Sequence, residues 1–298
     1  MSAELFLVGC GSAAPVGEGA SAQTMGFKAW NLLRMAQLGL PVPPAYVLGS
    51  RLCQVEAAQR RAAAQTLSKA GLRALEEASG LALGDARRPL LLSVRSGAAV
   101  SMPGMMDTLL DIGLCEATVG GLLRQSGNPR MVWDAYRRLV AGYGEVVAGV
   151  APQVFEQAQA SIAADLDERE LDFYELRELT RLYLRVYEQA ARRPFPQSPH
   201  EQLQGAIGAV FDSWQSERAR AYRRIHGLPG DLGTAVTVQR MVFGNAGGHS
   251  GAGVGFSRDP SSGMPELWVD FLFDAQGEDV VSGRRNAYGH EQLMVPAK

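Results

Sequence analysis

The sequence predicts an α+β protein in which a helical segment is inserted between segments that form strands. Three observations support this class. Short, uninterrupted apolar runs lie in the first hundred residues, residues 117–191 have almost continuous helical spacing, and the apolar residues alternate with polar ones from Thr234 onward. A chain of 298 residues can bury a core of useful size without disulfides or a structural metal.

The individual elements follow from local patterns. Strands are predicted at residues 4–8, 45–48, 89–94, 234–243, 253–257, 266–273 and 278–282. Outside the inserted segment, helices are predicted at 27–38, 55–79 and 201–225. The strand at 89–94 is apolar throughout and is followed directly by Arg95, which indicates a buried strand that places a cation at its end.

Composition and charge narrow the class of protein. The formal net charge of −2 provides no attractive field for nucleic acid, so an anionic ligand needs a local cluster of Lys and Arg. The longest apolar runs are far too short to span a bilayer. Three widely spaced cysteines predict free thiols in a reducing compartment, and we therefore expect a cytoplasmic protein without a membrane segment.

Three cations stand where the chain could meet phosphates. Lys28 opens a predicted helix after a glycine, Arg95 follows the buried strand, and Arg285 lies near the end of the β-rich region. Small neighbours and a positive side chain suit a polyphosphate, which needs close backbone approach and countercharge. Each cation taken alone also fits a solvated surface charge or a structural ion pair.

Two features of the β-rich region extend this pattern. The loop from Gly244 to Gly253 is rich in glycine, so its N–H groups, including those of Gly247, Gly248 and Gly251, can fold over phosphates. The same loop fits a flexible hairpin connection equally well. Asp270 interrupts an apolar run, which indicates either a magnesium ligand or the solvent-facing edge of an alternating strand.

Two short motifs are rejected on their context. Gly9 to Ala14 spell a dinucleotide fingerprint, but Pro15 and the glycines after it prevent the helix that should hold a pyrophosphate. Gly248 to Ala252 imitate a hydrolase nucleophile elbow, yet strand signals follow where a helix is required. The four histidines show no metal-ligand spacing.

Several segments of the chain resemble the pyruvate, phosphate dikinase family. The most specific match is Ser93 to Thr108, which reads SVRSGAAVSMPGMMDT. Further matches lie at residues 26–44, 128–138, 195–203, 233–251 and 275–281. Because these segments occur in the family's order and cover nearly the whole chain, the sequence is similar to the nucleotide-binding part of that family.

The resemblance implies an ATP-grasp fold, with two lobes around an ATP cleft and a helical subdomain inserted into the first lobe. It places the first lobe at residues 1–112 plus 198–238, the insert at 113–197 and the β-rich second lobe at 239–298. It also implies ATP and Mg²⁺ as ligands, and phosphate transfer to a histidine on a separate domain or protein. None of the 298 residues resembles that phosphohistidine domain or the family's pyruvate-binding barrel, so we expect a partial reaction only.

The resemblance also implies three sets of site residues. These are the phosphate-binding and catalytic Lys28, Arg95 and Arg285, the adenine-side Gln239 and Met241, and the metal-binding Asp270 and Gln276.

The chain departs from the family pattern at three places, and two of these departures, Phe27 and Asp270, favour an alternative function. Phe27 stands where the family has glycine, and Asn286-Ala287 replaces a Thr-Pro pair. Asp270 replaces a glutamate, which retracts the carboxylate by about 1.5 Å, one C–C bond. The alternative is a catalytically inactive nucleotide-binding or regulatory relic of the same domain. A third hypothesis, a dinucleotide-dependent oxidoreductase, depends on Gly9 to Ala14 alone.

Overall fold

A five-stranded antiparallel sheet forms the centre of the longer part of the chain in a computed structural model. The structure describes residues 4–11, 16–100, 102, 104–162, 170–247, 249–281 and 288–289. The chain divides into two compact units. The first contains Met1–Gln125 and Val132–Met241, and the second contains Ser126–Met131 and Val242–Lys298.

The sheet of the first unit has the strand order β1-β2-β5-β3-β4. Its strands are β1 (Leu5–Val8), β2 (Ala45–Leu48), β3 (Leu92–Gly97), β4 (Thr108–Ile112) and β5 (Ala235–Arg240). The central strand β5 pairs with β2 on one side and with β3 on the other, and Arg95 lies opposite Thr237 in that register. Directly opposed residues of an antiparallel pair project from the same face, so the register assigns each side chain to a face.

Helices cover both faces of this sheet. One face carries Phe6, Val8, Ala45, Val47 and Ala235, which form one buried cluster with residues of two N-terminal helices, α1 (Ala22–Met25) and α2 (Phe27–Gln37). The other face packs against α3 (Ala57–Ser79) and α8 (Pro199–Ser213). On that face the buried hydroxyl groups of Tyr46 and Ser68 lie 2.6 Å apart.

Four consecutive helices precede α8 in the chain, and one helix follows it. They are α4 (Glu116–Ser126), α5 (Pro129–Ala148), α6 (Pro152–Ile162), α7 (Phe173–Ala191) and, after α8, α9 (Glu217–Ile225). The Gln202 side chain of α8 joins this helical segment to the sheet, because it accepts from the Gly113 N–H and donates to the Leu114 carbonyl. An aromatic cluster around Phe195, with Tyr136, Tyr143 and Tyr187, packs beside it.

The second unit contains a three-stranded antiparallel sheet and one short helix. The strands are β6 (Gly251–Phe256), β7 (Trp268–Phe273) and β8 (Tyr288–Gly289), in that order across the sheet. The helix α10 (Gly277–Val281) follows β7.

The α+β class predicted from the sequence is confirmed, and no helix among the described residues is long and apolar enough to cross a membrane. The three cysteines are free, as expected, although only Cys115 is fully buried. Partial burial raises the pKa of Cys10 and of Cys53, which keeps both side chains in the thiol form near neutral pH.

Two predicted elements were wrong. Residues 278–282 were predicted as a strand, but Gly277–Val281 form α10, whose first turn is closed by the Asp279 carboxylate accepting from the Gln276 N–H at 2.9 Å. The single helix predicted at 201–225 is two helices. The second begins after Ser216, whose hydroxyl accepts from the Ala219 N–H at 3.2 Å as an N-cap.

Next to Arg95, one strand is shifted from its predicted position and one strand was not predicted. The strand expected at 89–94 is Leu92–Gly97, so Arg95 lies within β3 rather than after it. Strand β4 was not predicted, because its five residues follow a loop rich in glycine and methionine and show no clear alternation. Both differences matter for the position of Arg95, which β4 and β5 flank.

A stability prediction follows from Glu4, which precedes β1. Desolvation raises the pKa of Glu4, and Arg51, 3.8 Å away, offsets this only in part. A carboxyl whose folded pKa lies above its unfolded pKa stabilises the fold at low pH, and this contribution is lost as the pH rises through the folded pKa. We therefore expect Glu4→Gln to raise the unfolding free energy at pH 7 and to leave it unchanged near pH 3.5.

Urea unfolding at the two pH values measures this difference. Glu77→Gln is the matched control, because Glu77 is an exposed carboxyl that pairs with Arg73 on its own helix, at 2.9 Å. An equal effect of Glu4→Gln at both pH values would contradict the prediction.

Candidate functional site

Arg95 occupies the middle of the first unit's sheet. Its strand neighbours are Thr237 on β5 and Thr108 on β4. The alternation of side chains along β3 places Arg95 on the same face as Ser93, which is the face covered in part by α1 and α2. Three buried residues precede Arg95 in β3, whereas Arg95 itself is exposed, so an otherwise buried strand places a charge at an accessible position.

The start of helix α2 is docked on the end of the same strand. The Phe27 N–H donates to the Ala98 carbonyl at 2.9 Å, and a Cβ added to Gly26 would lie 2.3 Å from the Gly97 carbonyl oxygen. Gly26 also has a φ of 79°, in the region that favours glycine. The two glycines therefore allow the backbone of α2 to touch the backbone of β3.

Lys28 lies in the first turn of α2, two residues after Gly26. Its side chain is exposed, and no ion pair to it is formed within the described part of the chain. Arg95 stands two residues before Gly97, about 7 Å along the strand. The structure thus places the start of α2, an 11-residue helix with Lys28 in its first turn, against the end of the strand that contains Arg95.

The polar residues beside Arg95 on this face are buried. The Ser93 hydroxyl donates to the Gln239 carbonyl at 3.4 Å, and the Gln239 side-chain amide donates to the Pro43 carbonyl at 2.9 Å. Met241 is also buried, and its N–H donates to the Leu91 carbonyl, which extends the pairing of β5 with the β3 segment. Gln239 thus lies in the same sheet as Arg95, on the strand predicted to border the adenine, and Met241 directly follows that strand.

The glycine-rich loop of the second unit is a closed turn. The Ser250 hydroxyl both accepts from the Gly247 N–H at 2.9 Å and donates to the Gly247 carbonyl at 2.6 Å. A Cβ on Gly244 would lie 2.2 Å from the Ala275 carbonyl, so glycine is needed where the loop meets the segment after β7. The Gly247 N–H is therefore already bonded within the loop, and Gly251 begins strand β6.

Asp270 lies in the middle strand β7 of the second sheet. It faces Val254 on β6 and Gly289 on β8. Its carboxylate accepts a hydrogen bond from the Trp268 indole at 3.0 Å. Asp270 is partly buried. Its exposure therefore lies between the two predicted alternatives, a buried metal ligand and a residue at the solvent-facing edge of a strand.

Gln276 follows β7 and is held by the glycine-rich loop. Its Nε2 donates to Asn245 Oδ1 at 3.0 Å, and the Asn245 carbonyl in turn accepts from the Asn128 side chain at 3.2 Å. This contact engages the amide nitrogen and not Oε1, which can still accept from a ligand. In the described ranges, no three His, Cys, Asp or Glu side chains come together as a metal site.

Two predicted site residues, Arg285 and Gly248, lie outside the described residues. Within the first unit, the helix that contains Lys28 contacts the end of the strand that contains Arg95. Within the second unit, Gln276 is hydrogen-bonded to Asn245 of the loop that contains Gly247.

Two shallow cavities, of about 280 and 340 Å³, lie between α3 and α8. Both helices pack on the sheet face opposite to Arg95. Gln65 and Gln204 line both cavities, whereas neither Lys28 nor Arg95 lines either one. These cavities are therefore not the phosphate site predicted from the sequence.

Residues that hold the site together were missed by the sequence analysis. The contact of Gly26 with Gly97 appeared only as two separate glycines in the sequence, and the Thr234 hydroxyl, which accepts from the Gly97 N–H at 3.2 Å, was not singled out. Trp268 was read only as part of an apolar run, although its spacing of two from Asp270 puts both on one face of a strand.

Comparison with known proteins identifies the family. Residues 64–289 match the family model described as "Pyruvate phosphate dikinase, AMP/ATP-binding domain". The chain is 44% identical over 291 residues to the pyruvate, phosphate dikinase of Rhizobium meliloti (strain 1021), and this match covers 96% of the chain and 32% of the relative. It is 46% identical to pyruvate, phosphate dikinase 2 of Zea mays, covering 88% of the chain and 30% of the relative.

The dikinase of Clostridium symbiosum is 42% identical over 276 residues, which are 90% of the chain and 32% of that protein. The chain therefore spans about a third of the length of the curated relatives it matches. The predicted resemblance is confirmed, and the chain belongs to the pyruvate phosphate dikinase family as a match to its AMP/ATP-binding domain.

Proposed function

We propose that this chain binds ATP together with Mg²⁺ and acts as the nucleotide-binding part of a phosphotransferase. One observation carries the proposal: the first turn of α2, with Lys28, is docked on the end of the strand that presents Arg95. Two cations and a helix N-terminus in one place supply the countercharge and the N–H donors that a polyphosphate needs.

Phosphoryl transfer asks a protein chiefly for positioning and charge neutralisation. In this proposal Lys28 and Arg95 bind the phosphates and stabilise the charge that develops during transfer, and Arg285 adds a third cation. The backbone near Gln239 and Met241 borders the adenine. Gly247, Gly248 and Gly251 of the second unit are the proposed phosphate-binding loop, although the Gly247 N–H is bonded to the Ser250 hydroxyl and would have to be released for this role.

Asp270 and Gln276 are the proposed magnesium ligands. Both offer hard oxygen atoms, because the Trp268 indole occupies only one acceptor position of Asp270 and Asn245 commits only the nitrogen of Gln276. Mg²⁺ is usually held by one or two protein oxygens, phosphates and water, which suits a site without three clustered acids. The cation would supply neutralisation of the phosphate charge, while the two side chains orient it.

The same family assignment supports further proposals on architecture. We propose an ATP-grasp fold with its first lobe at residues 1–112 plus 198–238, a helical insert at 113–197 and a second lobe at 239–298. The consecutive helices α4 to α7 and the separate β-rich sheet at 251–289 support these boundaries.

The phosphate acceptor is proposed to be a histidine on another domain or protein, with pyruvate as the later substrate that the relatives' names state. A cytoplasmic location remains the expectation from the three free thiols.

Isothermal titration with ATP, in the presence and absence of Mg²⁺, tests the proposal. We expect binding in the micromolar to sub-millimolar range, strengthened by Mg²⁺, and no binding of NAD. Incubation with γ- and β-labelled ATP and a separately produced phosphohistidine domain of a dikinase should then transfer label to that domain. Failure to bind ATP in either condition would contradict the proposed function.

A catalytically inactive, regulatory form of the same domain is the second candidate function. Phe27 favours it, because this side chain is 52% exposed in the first turn of α2, directly beside Lys28. A bulky ring at that position limits the approach of phosphate to the helix backbone. ATP binding of normal affinity without any transfer of label, restored to transfer by Phe27→Gly, would support this candidate over the active enzyme.

A further inference from the structure

The Trp268 side chain contacts the carboxylate that is proposed to bind magnesium. Its indole N–H donates to Asp270 Oδ1 at 3.0 Å. The two residues are two apart in β7 and therefore project from the same face of the strand. An indole has one donor and no acceptor, so this contact has a fixed polarity: Trp268 donates and Asp270 accepts.

The other neighbours of Asp270 leave its carboxylate accessible. Val254, directly opposite on β6, has no hydrogen-bonding side chain. Gly289, opposite on β8, has no side chain, and a Cβ built there would meet no described atom within 4 Å. The indole is thus the side-chain donor that the described structure places on Asp270, and no described side chain competes with it from β6 or β8.

An aspartate at the surface of a strand can rotate about χ1 and χ2, and this freedom must be lost when a cation is bound. A ligand group that is held in advance loses less freedom on binding, which favours the complex. The bond to Trp268 engages Oδ1 and leaves Oδ2 available. Mg²⁺ requires near-ideal geometry, so the orientation of a short carboxylate has a direct effect on its affinity.

We propose that Trp268 is a positioning residue, which holds the Asp270 carboxylate in the orientation in which it would bind the divalent cation. This inference rests on the proposed function, because it assumes that Mg·ATP is bound. A consequence is that the indole fluorescence responds to the cation. A cation bound by this carboxylate would make it a weaker acceptor, so the hydrogen bond to the indole would weaken and the emission of Trp268 would shift.

The principal test is the Mg²⁺ dependence of ATP binding in Trp268→Phe. Calorimetric titrations with ATP at a series of MgCl2 concentrations should show about fivefold weaker apparent Mg²⁺ affinity, which corresponds to the loss of one positioning hydrogen bond. ATP binding without Mg²⁺ should be unchanged. Trp268 is 38% exposed, so the substitution is expected to fold, and thermal melting verifies this. Trp268→Tyr provides a second variant if Phe does not fold.

A double-mutant cycle separates positioning from a structural role. If Trp268 acts through Asp270, then Trp268→Phe has no further effect on Mg²⁺ affinity in an Asp270→Ala background. In fluorescence, adding MgCl2 to the ATP complex should shift the emission of the wild-type protein. This shift should persist in Trp133→Phe, the control on α5, and disappear in both Trp268→Phe and Asp270→Ala.

The possible outcomes distinguish failure of the positioning role of Trp268 from failure of the proposed function. Unchanged or tighter Mg²⁺ binding in Trp268→Phe, with normal ATP binding, would overturn the positioning role alone. An equal loss with and without Asp270 would also overturn it. Absence of ATP binding in the wild-type protein would overturn the proposed function and the positioning role together.

Discussion

Arg95→Ala is expected to weaken ATP binding by about 100-fold, because a hydrogen bond to a charged group contributes about 1.5 kcal/mol and an arginine makes at least two with a phosphate. The position of Arg95 supports an effect of this size. It stands on an exposed point of a strand whose preceding residues are buried, and the first turn of α2 lies at the end of that strand. Isothermal titration with Mg·ATP gives the change in Kd directly.

Two variants make this result specific. Arg95→Lys keeps the charge but not the two-pronged geometry, and we expect it to recover only part of the affinity. Arg61→Ala is the matched control, because Arg61 is an exposed arginine on α3, which packs on the opposite face of the sheet. Thermal melting of each variant separates lost binding from lost folding. A Kd for Arg95→Ala within threefold of the wild-type value would remove Arg95 from the site.

Gly26→Ala is expected to lower the free energy of unfolding by about 2–5 kcal/mol and to weaken ATP binding as well. The cost has two parts. A non-glycine residue at a φ of 79° and a ψ of 153° is strained by about 1–3 kcal/mol. The new Cβ would overlap the Gly97 carbonyl at 2.3 Å, so α2 or β3 must move, at a cost similar to that of overpacking a core. Since small domains are stable by only about 5–15 kcal/mol, urea unfolding detects this loss easily.

Gly39→Ala separates the cost of the backbone conformation from the cost of the steric overlap. Gly39 has a φ of 83°, but a Cβ at that position would meet no described atom within 4 Å. We therefore expect Gly39→Ala to cost about 1 kcal/mol from the backbone conformation alone. If the two variants were equally destabilised, the contact of α2 with β3 would not be the reason for glycine at position 26.

Local patterns predicted most of the elements near the site. The apolar run before Arg95, the helix after Gly26 and the strand that contains Gln239 were all predicted, because each depends on the periodicity of neighbouring residues. The errors have the same origin. Residues 278–282 alternate too briefly for periodicity to distinguish a strand from one helical turn closed by Asp279, and Ser216 ends one helix and begins another within a continuous helical pattern.

The sequence by itself determined the family and the α+β class and predicted the candidate cations, since motifs and residue periodicity are properties of neighbouring positions. Only the tertiary structure decided which of these residues meet. Arg95 acquired its neighbours Thr108 and Thr237 through strand pairing, Lys28 came to the same strand through the contact of Gly26 with Gly97, and Trp268 proved to donate to Asp270. Such contacts depend on the register of strands and on the close approach of backbones distant in sequence, which no local pattern encodes.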